Sequence, residues 1–169
     1  DVLIIGAGGA GLRTSIELAQ QGVDCFVLGK RPHGDAHTIW AAGGINASLG
    51  SLDPEDRWAI HAADTLNEGH FLNDPTAVEM LARRAPDRIR ELDEWGVEFD
   101  RTADGAINQR YFGAQSFRRT CFVGDHTGEA LMSTLERTES RGAHARTDHG
   151  EKDPSWRQNV RCVPTAEGM

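Results

Sequence analysis

A glycine-rich turn close to the start of the chain constrains the fold more than any other feature. The run Val2–Ile5 is apolar and rich in β-branched residues, and glycine follows at positions 6, 8 and 11. From Leu12 onward, apolar residues recur at helical spacing. The spacing G-x-G-x-x-G lets the first glycine make a tight turn and the third admit a helix close to the strand. The sequence therefore predicts a strand, a turn and a helix in that order.

A second apolar segment, Val23–Leu28, completes a strand–helix–strand unit of about thirty residues. The first-turn N–H groups of such a helix lack internal partners, and with the helix dipole they favour an anion. The unit predicts a nucleotide-binding site, whereas a glycine-rich turn in any α/β protein is the alternative. Gly29, Lys30 and Arg31 stand where an acidic ribose ligand usually follows the second strand. This positive charge favours phosphate, or a special class of FAD protein, over NAD.

Bulk composition excludes several classes of protein. The chain has 169 residues and a net charge of −8, which argues against a nucleic-acid-binding surface. No apolar run approaches the roughly 20 residues of a membrane helix, and no signal peptide is recognisable, so we expect no direct membrane span. The cysteines Cys25, Cys121 and Cys162 are odd in number and widely spaced, which favours a reduced, cytosolic setting without a metal site. The chain starts on a strand without an initiator Met, so we expect an N-terminal piece to be missing.

The central part of the chain reads as three helices. Asp53 is a plausible N-cap before Pro54, and the first helix is expected to run to about Leu66. Asn73-Asp74-Pro75 begins a second helix, expected over 75–85, and Pro86 begins a third, expected over 86–95. His61 and His70 have no carboxylate or cysteine at ligand spacing, so no metal site is expected there.

Loops and a hairpin connect these helices. The loop from Arg31 to Ser48 is expected to be partly buried because it carries Ile39, Trp40 and Ile45. Val97–Gln109 reads as a hairpin that turns at Asp104-Gly105, and a helix is expected from Glu129 to about Leu135.

A basic loop follows the predicted hairpin. It carries Arg110, Arg118 and Arg119 among aromatic residues. These arginines could form a solvated basic face or the wall of an anion pocket, and the sequence favours neither.

Four motifs resemble, in order, those of the flavoprotein subunits of succinate dehydrogenase and fumarate reductase and the related L-aspartate oxidases. Gly6–Arg13 resembles the family's FAD fingerprint, and His37–Gly44 (HTIWAAGG) is similar to its more specific His-Thr-x-x-Ala-x-Gly-Gly signature. Arg110–Ser116 (RYFGAQS) resembles its Arg-Pro-Phe-Gly-Gly-Gln-Ser loop. Gly124–Gly128 (GDHTG) is similar to its Ala-Asp-Arg-Thr-Gly.

The tail resembles a distant part of the same family. Arg137–Arg146 and Asp153–Trp156 are similar to its C-terminal helical region, which in full-length members lies several hundred residues further on. The resemblance implies an α/β fold: a partial, Rossmann-like FAD-binding domain, a C-terminal helical-region segment and a missing capping domain. Residues 1–135 would be the N-terminal part of the FAD-binding domain and 136–169 the helical segment, with an internal gap near 135–138.

FAD is the cofactor that the resemblance implies. Its pyrophosphate would lie on the glycine turn, with Lys30 towards the adenosine. His37 matches the histidine that bonds to the 8α carbon of the flavin in members with covalent FAD, although Asp35-Ala36 departs from the usual Arg-Ser or Arg-Thr. The expected cofactor-binding residues are Gly6, Ala7, Gly8, Gly9, Ala10, Gly11, Lys30, His37, Thr38, Ala41, Gly43 and Gly44.

The substrate implied is a dicarboxylate. Phe112 matches a family aromatic beside it, with packing in the core as the alternative, and Gly43 is the other expected substrate residue. Ala42 stands where many dehydrogenases have Gln. The catalytic arginine and the carboxylate-binding residues of the family belong to the missing segment. No catalytic residue is therefore assigned in this chain, and the 169 residues are expected to be inactive.

The implied activity is interconversion of succinate and fumarate by hydride transfer to or from FAD. The implied partners are the membrane anchor of a respiratory complex and its iron–sulfur subunit, which would place the chain peripherally at the cytoplasmic side of a membrane. L-aspartate oxidase, which usually holds FAD without a covalent bond, is one alternative, and His37 favours the dehydrogenase over it. A truncated, non-catalytic FAD-binding module is the other.

Overall fold

The computed structural model describes residues 2–30 and 35–136 and the backbone strand 160–164. The chain divides into two compact units. One comprises the chain up to Ala41, Glu94–Gly96 and the chain from Gly128 on, and the other comprises Ala42–Asp93 and Val97–Thr127. Among the described residues, no helix has both the length and the apolar character needed to cross a lipid bilayer.

The first unit is built on the predicted strand–helix–strand arrangement. Strand β1 (Val2–Ile5) leads through the glycine turn into helix α1 (Gly9–Gln20), and strand β2 (Cys25–Gly29) pairs in parallel with β1. Leu12 and Ile16 of α1 and Cys25 and Val27 of β2 are buried. These four residues belong to the buried core of the first unit, whereas Leu3 and Ile5 of β1 and Phe26 of β2 are exposed.

A 3₁₀-helix, most of the helix that begins at Thr127 and the segment Glu94–Gly96 also belong to the first unit. A 3₁₀-helix (His37–Trp40) follows β2, and helix α4 (Thr127–Glu136) contributes the buried residues Met132 and Leu135. The guanidinium of Arg13 lies over the ring of the buried Trp95, 5.2 Å from the ring centre.

The sheet of the first unit has a third strand that the sequence did not predict. Strand β6 (Val160–Pro164) pairs in parallel with β2. It belongs to the segment assigned above to a helical region, of which 137–159 and 165–169 lie outside the described residues. The resemblance of Arg137–Arg146 and Asp153–Trp156 and the boundary near 135–138 stay predictions.

The second unit contains a small antiparallel sheet and two helices. Strand β5 (Thr120–Cys121) lies between β3 (Ile45–Asn46) and β4 (Gln109–Arg110). Helix α2 (Trp58–Glu68) and helix α3 (Pro75–Glu94) pack through Ala62, Val78 and Ala82, with Trp58 and Leu66 against this cluster. Between α3 and β4, the predicted hairpin is present, with an Arg101–Ile107 bridge and Gly105 at φ 89° in its turn.

The prediction of separate helices over 75–85 and 86–95 is wrong, because α3 continues through Pro86 to Glu94. Its start is confirmed, since Asp74 Oδ1 accepts the Thr76 N–H at 2.8 Å, as an N-cap does. Proline removes one backbone donor but its φ remains compatible with a helix. The buried contacts of Val78, Ala82 and Ile89 lie on both sides of Pro86 and hold one continuous helix.

The prediction that Asp53 caps a helix beginning at Pro54 is also wrong. Helix α2 begins at Trp58, and the Asp53 carboxylate instead accepts the backbone N–H of Arg118 at 2.8 Å and its guanidinium at 2.6 Å. These hydrogen bonds lower the pKa of Asp53. A tertiary ion pair has replaced a local cap.

Arg118 and Arg119 are structural, so neither interpretation of the basic loop holds for them. Arg119 is 0% exposed, and its guanidinium donates to Asp56 at 2.8 and 3.1 Å and to Asp64 at 2.6 Å. The pKa of Asp64 lies below its ordinary value. Burial by itself would raise this pKa, but the hydrogen bonds from Ser116 and Arg119 lower it by more. These carboxylates already neutralise the arginines, so the arginines cannot bind a further anion.

Candidate functional site

The glycine turn brings the backbone of α1 against the end of β1. Gly6 has φ 120°, in the region that favours glycine, and its N–H donates to the carbonyl of Leu28 at 2.8 Å. A Cβ built at position 11 would overlap the carbonyl oxygen of Gly6. The third glycine is therefore required for close packing of helix on strand, as its spacing predicts.

A cavity of about 430 Å³ lies at this turn. Its size is in the range of ligand pockets. It is lined by Gly6, Ala7, Gly8, Gly29, Lys30, Asp35, Ala36, His37 and Thr38. The glycine turn, Lys30 and His37 thus line one space within the first unit.

The 3₁₀-helix approaches the N-terminus of α1 through Thr38. Thr38 Oγ1 accepts the N–H of Gly9 at 3.0 Å, so it satisfies one of the first-turn donors that the helix itself cannot. His37, the preceding residue, is exposed. The described part of this loop is partly buried, as expected, since Ile39 and Ile45 are half-buried, although Trp40 is 72% exposed.

Gly128 is a residue to which the sequence assigned no role of its own. Its N–H donates to the carbonyl of Ala41 at 2.7 Å, and a Cβ there would overlap the carbonyl oxygen of Thr38. The start of α4 therefore packs against the 3₁₀-helix that carries His37. Its place in the motif Gly124–Gly128 was the available signal, but the contact needs the tertiary structure.

Gly43, Gly44 and Phe112 belong to the second unit. A Cβ at Gly43 would lie 3.1 Å from the Phe112 ring, so these two predicted substrate residues are in contact. Gly44 has φ 110°, and a Cβ there would lie 2.5 Å from the carbonyl oxygen of Cys121. Glycine is therefore required at position 44 for a structural reason as well, because strand β5 passes too close to leave room for a side chain.

Arg110 holds the glycine pair in place. Its guanidinium donates to the carbonyls of Ala42 at 3.2 Å and Gly43 at 3.0 Å, and it lies over the Phe122 ring, 4.2 Å from the ring centre. The sequence suggested either a solvated or an anion-binding residue at this position. The structure gives Arg110 a role in positioning the loop at Gly43.

The predicted cofactor residues thus fall into four groups. Gly6, Ala7, Gly8, Lys30, His37 and Thr38 line the 430 Å³ cavity. Gly9, Ala10 and Gly11 form the first turn of α1, and Ala41 follows the 3₁₀-helix. Gly43 and Gly44 lie in the second unit.

The cavity can hold an anionic group and offers a nucleophile. A helix N-terminus and a lysine favour phosphate oxygens, and an uncharged imidazole nitrogen is a nucleophile. The two described cysteines are not thiolates, because burial raises the pKa of Cys25 and, to about 12, that of Cys121. The donor set therefore fits a nucleotide cofactor with a pyrophosphate.

The sequence matches a known family over most of its length. Residues 1–149 match the family described as FAD binding domain. The chain is 44% identical over 137 residues to one subunit of the fumarate reductase (CoM/CoB) of Methanothermobacter marburgensis, a match that covers 80% of this chain and 25% of that protein. It is 40% identical over 143 residues to the succinate dehydrogenase flavoprotein subunit of Rickettsia bellii, with coverage of 80% and 24%.

Solved structures agree with the sequence relatives. The Sdh1 complex of Mycobacterium smegmatis in its apo form is similar, with a TM-score of 0.78, 45% identity and coverage of 80% of this chain and 23% of that chain. A quinol fumarate reductase from E. coli gives a TM-score of 0.75 at 34% identity, with coverage of 80% and 23%.

The chain spans about a quarter of the length of the curated relatives it matches. Within that span, the parallel sheet, the glycine turn and the ordered motifs agree with the family match. The chain belongs to the FAD binding domain family, and its relatives there are named as succinate dehydrogenase and fumarate reductase subunits.

Proposed function

We propose that the chain is the FAD-binding part of a flavoprotein subunit that interconverts succinate and fumarate. The observation that supports this most strongly is the cavity of the first unit, where the glycine turn, Lys30 and His37 line one space. Relatives that are 44% and 40% identical to the chain carry the names of fumarate reductase and succinate dehydrogenase subunits.

The residues of the cavity would bind and orient the cofactor. Gly6, Gly8 and Gly11 would let the backbone approach the pyrophosphate, and Lys30 would add positive charge towards the adenosine. When bound, FAD supplies the hydride chemistry, which amino-acid side chains lack. Ala7, Gly9 and Ala10 complete the turn.

His37 would tether the flavin through a bond from its imidazole to the 8α carbon. Its side chain is exposed and lines the cavity. Thr38 fixes the peptide next to it through the hydrogen bond with Gly9. This pairing would hold the imidazole in one place relative to the pyrophosphate site.

The substrate-side residues would be Gly43 and Phe112. Arg110 holds the carbonyl of Gly43, and Phe112 lies against Gly43. Ala41, Gly43 and Gly44 would present small residues and backbone N–H groups to the flavin ring. An iron–sulfur subunit would take up the electrons, and a membrane anchor would hold the assembly at the cytoplasmic side of a membrane.

Covalent attachment is tested with the complete gene product purified with its flavin. After acid precipitation, protein-bound flavin fluorescence and a mass increase on the peptide containing His37 are expected. The His37→Ala variant should release all its flavin on precipitation, and the His126→Ala variant, at an exposed histidine outside the cavity, should release none. Complete release of flavin from the unaltered protein would show that His37 is not a tether.

The reaction is tested on the same preparation with succinate and L-aspartate as electron donors. Reduction of an artificial acceptor with succinate but not with L-aspartate is expected. Turnover of L-aspartate alone would assign the protein to the oxidases. Absence of turnover with either donor, and with fumarate and a reduced dye, would indicate a non-catalytic module.

A further inference from the structure

The 3₁₀-helix His37–Trp40 is too short to hold its own position. Within it, the Ile39 N–H donates to the carbonyl of Ala36 at 3.0 Å and the Ala41 N–H donates to that of Thr38 at 3.1 Å. A single turn is unfavourable in isolation, because several backbone dihedrals are fixed for each hydrogen bond gained. Contacts with other elements must therefore hold this helix in place.

The position of the His37 imidazole depends on this short helix. Its side chain is exposed and lines the 430 Å³ cavity, so its backbone determines where the ring can reach. The glycine turn lines the same cavity, and such a turn holds a pyrophosphate. Because flavin and pyrophosphate belong to one molecule, the spacing between the glycine turn and the 3₁₀-helix decides whether the imidazole meets the flavin.

One side of the 3₁₀-helix rests on the first turn of α1 through Thr38. Its Oγ1 accepts the N–H of Gly9 at 3.0 Å, and a Cβ built at Gly9 would lie 3.2 Å from its Cγ2. A Cβ built at Gly8 would lie 3.6 Å from the Cβ of Ala36. The glycines of the turn therefore admit this helix at close range.

Helix α4 contacts both the 3₁₀-helix and the glycine turn. The Gly128 N–H donates to the carbonyl of Ala41 at 2.7 Å, and a Cβ at Gly128 would overlap the carbonyl oxygen of Thr38. Leu131 lies less than one turn further along α4, and a Cβ at Gly9 would lie 3.7 Å from its Cδ2. All five residues belong to the first unit.

We propose that α4 is the element that positions His37 for attachment of the flavin, with Gly128 as the positioning residue. Through Gly128 and Leu131, α4 sets the spacing between the glycine turn and the imidazole. A side chain at position 128 would displace the 3₁₀-helix, so glycine is needed there. Gly128 is not among the described residues that line the cavity, so it acts through His37. This inference rests on the tether in the proposed function.

Attachment makes a stricter demand on geometry than binding does. It replaces a C–H bond at the 8α carbon and an N–H bond of the imidazole with one C–N bond. Two protons leave to solvent, and two electrons pass to the flavin ring, from which dioxygen removes them. A misplacement of about 1 Å can slow such a step on the order of a hundredfold. A displaced His37 would therefore slow attachment without releasing the cofactor.

The rate of attachment is measured on the complete gene product in a host that requires riboflavin. After a pulse of riboflavin, covalent flavin is followed over time by fluorescence of the acid-precipitated protein. Total bound flavin and the unfolding temperature are measured on protein purified from the same cultures. Gly128→Ala should slow attachment at least about tenfold and keep its bound flavin. Glu129→Ala, at the exposed next position of the helix, should attach flavin at the unaltered rate.

A second pair of variants tests the same positioning without adding a backbone clash. Thr38→Val replaces the hydroxyl with a methyl of similar shape and leaves the Gly9 N–H without its acceptor. It should slow attachment about three- to tenfold, which is the range of one hydrogen bond. Thr38→Ser keeps the hydroxyl and should recover most of the rate. This pair decides the question if Gly128→Ala does not fold.

An unaltered rate of attachment in folded Gly128→Ala, or in Thr38→Val, would overturn the inference and leave the tether standing. Parallel losses of attachment rate, bound flavin and unfolding temperature would also overturn it, because they would show a role in packing alone. Absence of covalent flavin from the unaltered protein would overturn the tether itself, and this inference with it.

Discussion

The carbonyl oxygen of Gly6 leaves no room for a side chain at position 11. At Gly44, φ and the neighbouring carbonyl of Cys121 impose the same restriction. Both glycines belong to motifs whose resemblance implies cofactor binding. Close backbone contacts alone require glycine at both positions. If a substitution there abolishes FAD binding, the stability of the variant must therefore be measured as well, to distinguish a lost binding site from an unfolded protein.

The Gly11→Ala substitution should lower the free energy of unfolding by about 3 kcal/mol or more, because the clash is with backbone. Gly8→Ala is the matched control. Its Cβ would meet Thr38 Oγ1 at 3.1 Å, a side chain that can rotate away, so the loss should be smaller. Urea unfolding of both variants measures the difference. Equal losses would show that the close approach at position 11 is relieved elsewhere.

Arg119 is a fully buried cation that two carboxylates neutralise. Truncating one partner of such a network leaves the others buried and unpaired. Arg118, the next residue, makes a similar pair with Asp53, but its side chain is 39% exposed, and water screens the interaction.

The Arg119→Met substitution should therefore cost about 3–5 kcal/mol of stability. The Arg118→Met variant should lose clearly less. Thermal unfolding followed by circular dichroism at neutral pH compares the two. Repeating the scan with Arg119→Met in an Asp64→Asn background should recover part of the loss, and an unchanged loss would show that the Asp64 pair contributes little.

Among the elements, α3 shows how tertiary packing overrides a local signal. A proline often occupies the first position of a helix, and the residues before Pro86 form a complete helix pattern of their own. Ala82 and Ile89 lie on either side of it and are buried, and the helix continues through the proline.

The Pro86→Ala substitution should stabilise the chain by about 1–3 kcal/mol, since alanine restores the backbone donor and fits the helix better. Thermal unfolding measures the change. Thr76→Ala, in the first turn of the same helix, is the control and should not raise the stability. A loss of stability in Pro86→Ala would mean that the packing of α3 requires the local geometry of proline.

At the scale of the whole molecule, the chain spans about a quarter of the curated relatives it matches. The resemblance assigns most of the motif residues to the cofactor and Gly43 and Phe112 to the substrate side, and it assigns proton transfer to no residue of the chain. Cofactor binding and turnover can therefore be measured separately.

The 169-residue chain should bind FAD without oxidising succinate. At a hundredfold excess of FAD over Kd, binding should raise the free energy of unfolding by about 2.7 kcal/mol. Succinate should leave the visible absorbance of the bound flavin unchanged, whereas dithionite, which reduces flavin directly, should bleach it. Bleaching by succinate would show that the chain contains the catalytic residues after all.

The sequence by itself determined the strand–turn–helix at the start, the parallel pairing of its first two strands and the family. These depend on local rules, because glycine spacing and apolar periodicity act within a few residues. Only the tertiary structure decided the positions of Asp53, Arg118 and Arg119, the continuation of α3 through Pro86 and the contact of Gly128 with Thr38. Each depends on residues distant in sequence, whose buried charges and close backbone contacts outweigh a local cap or breaker.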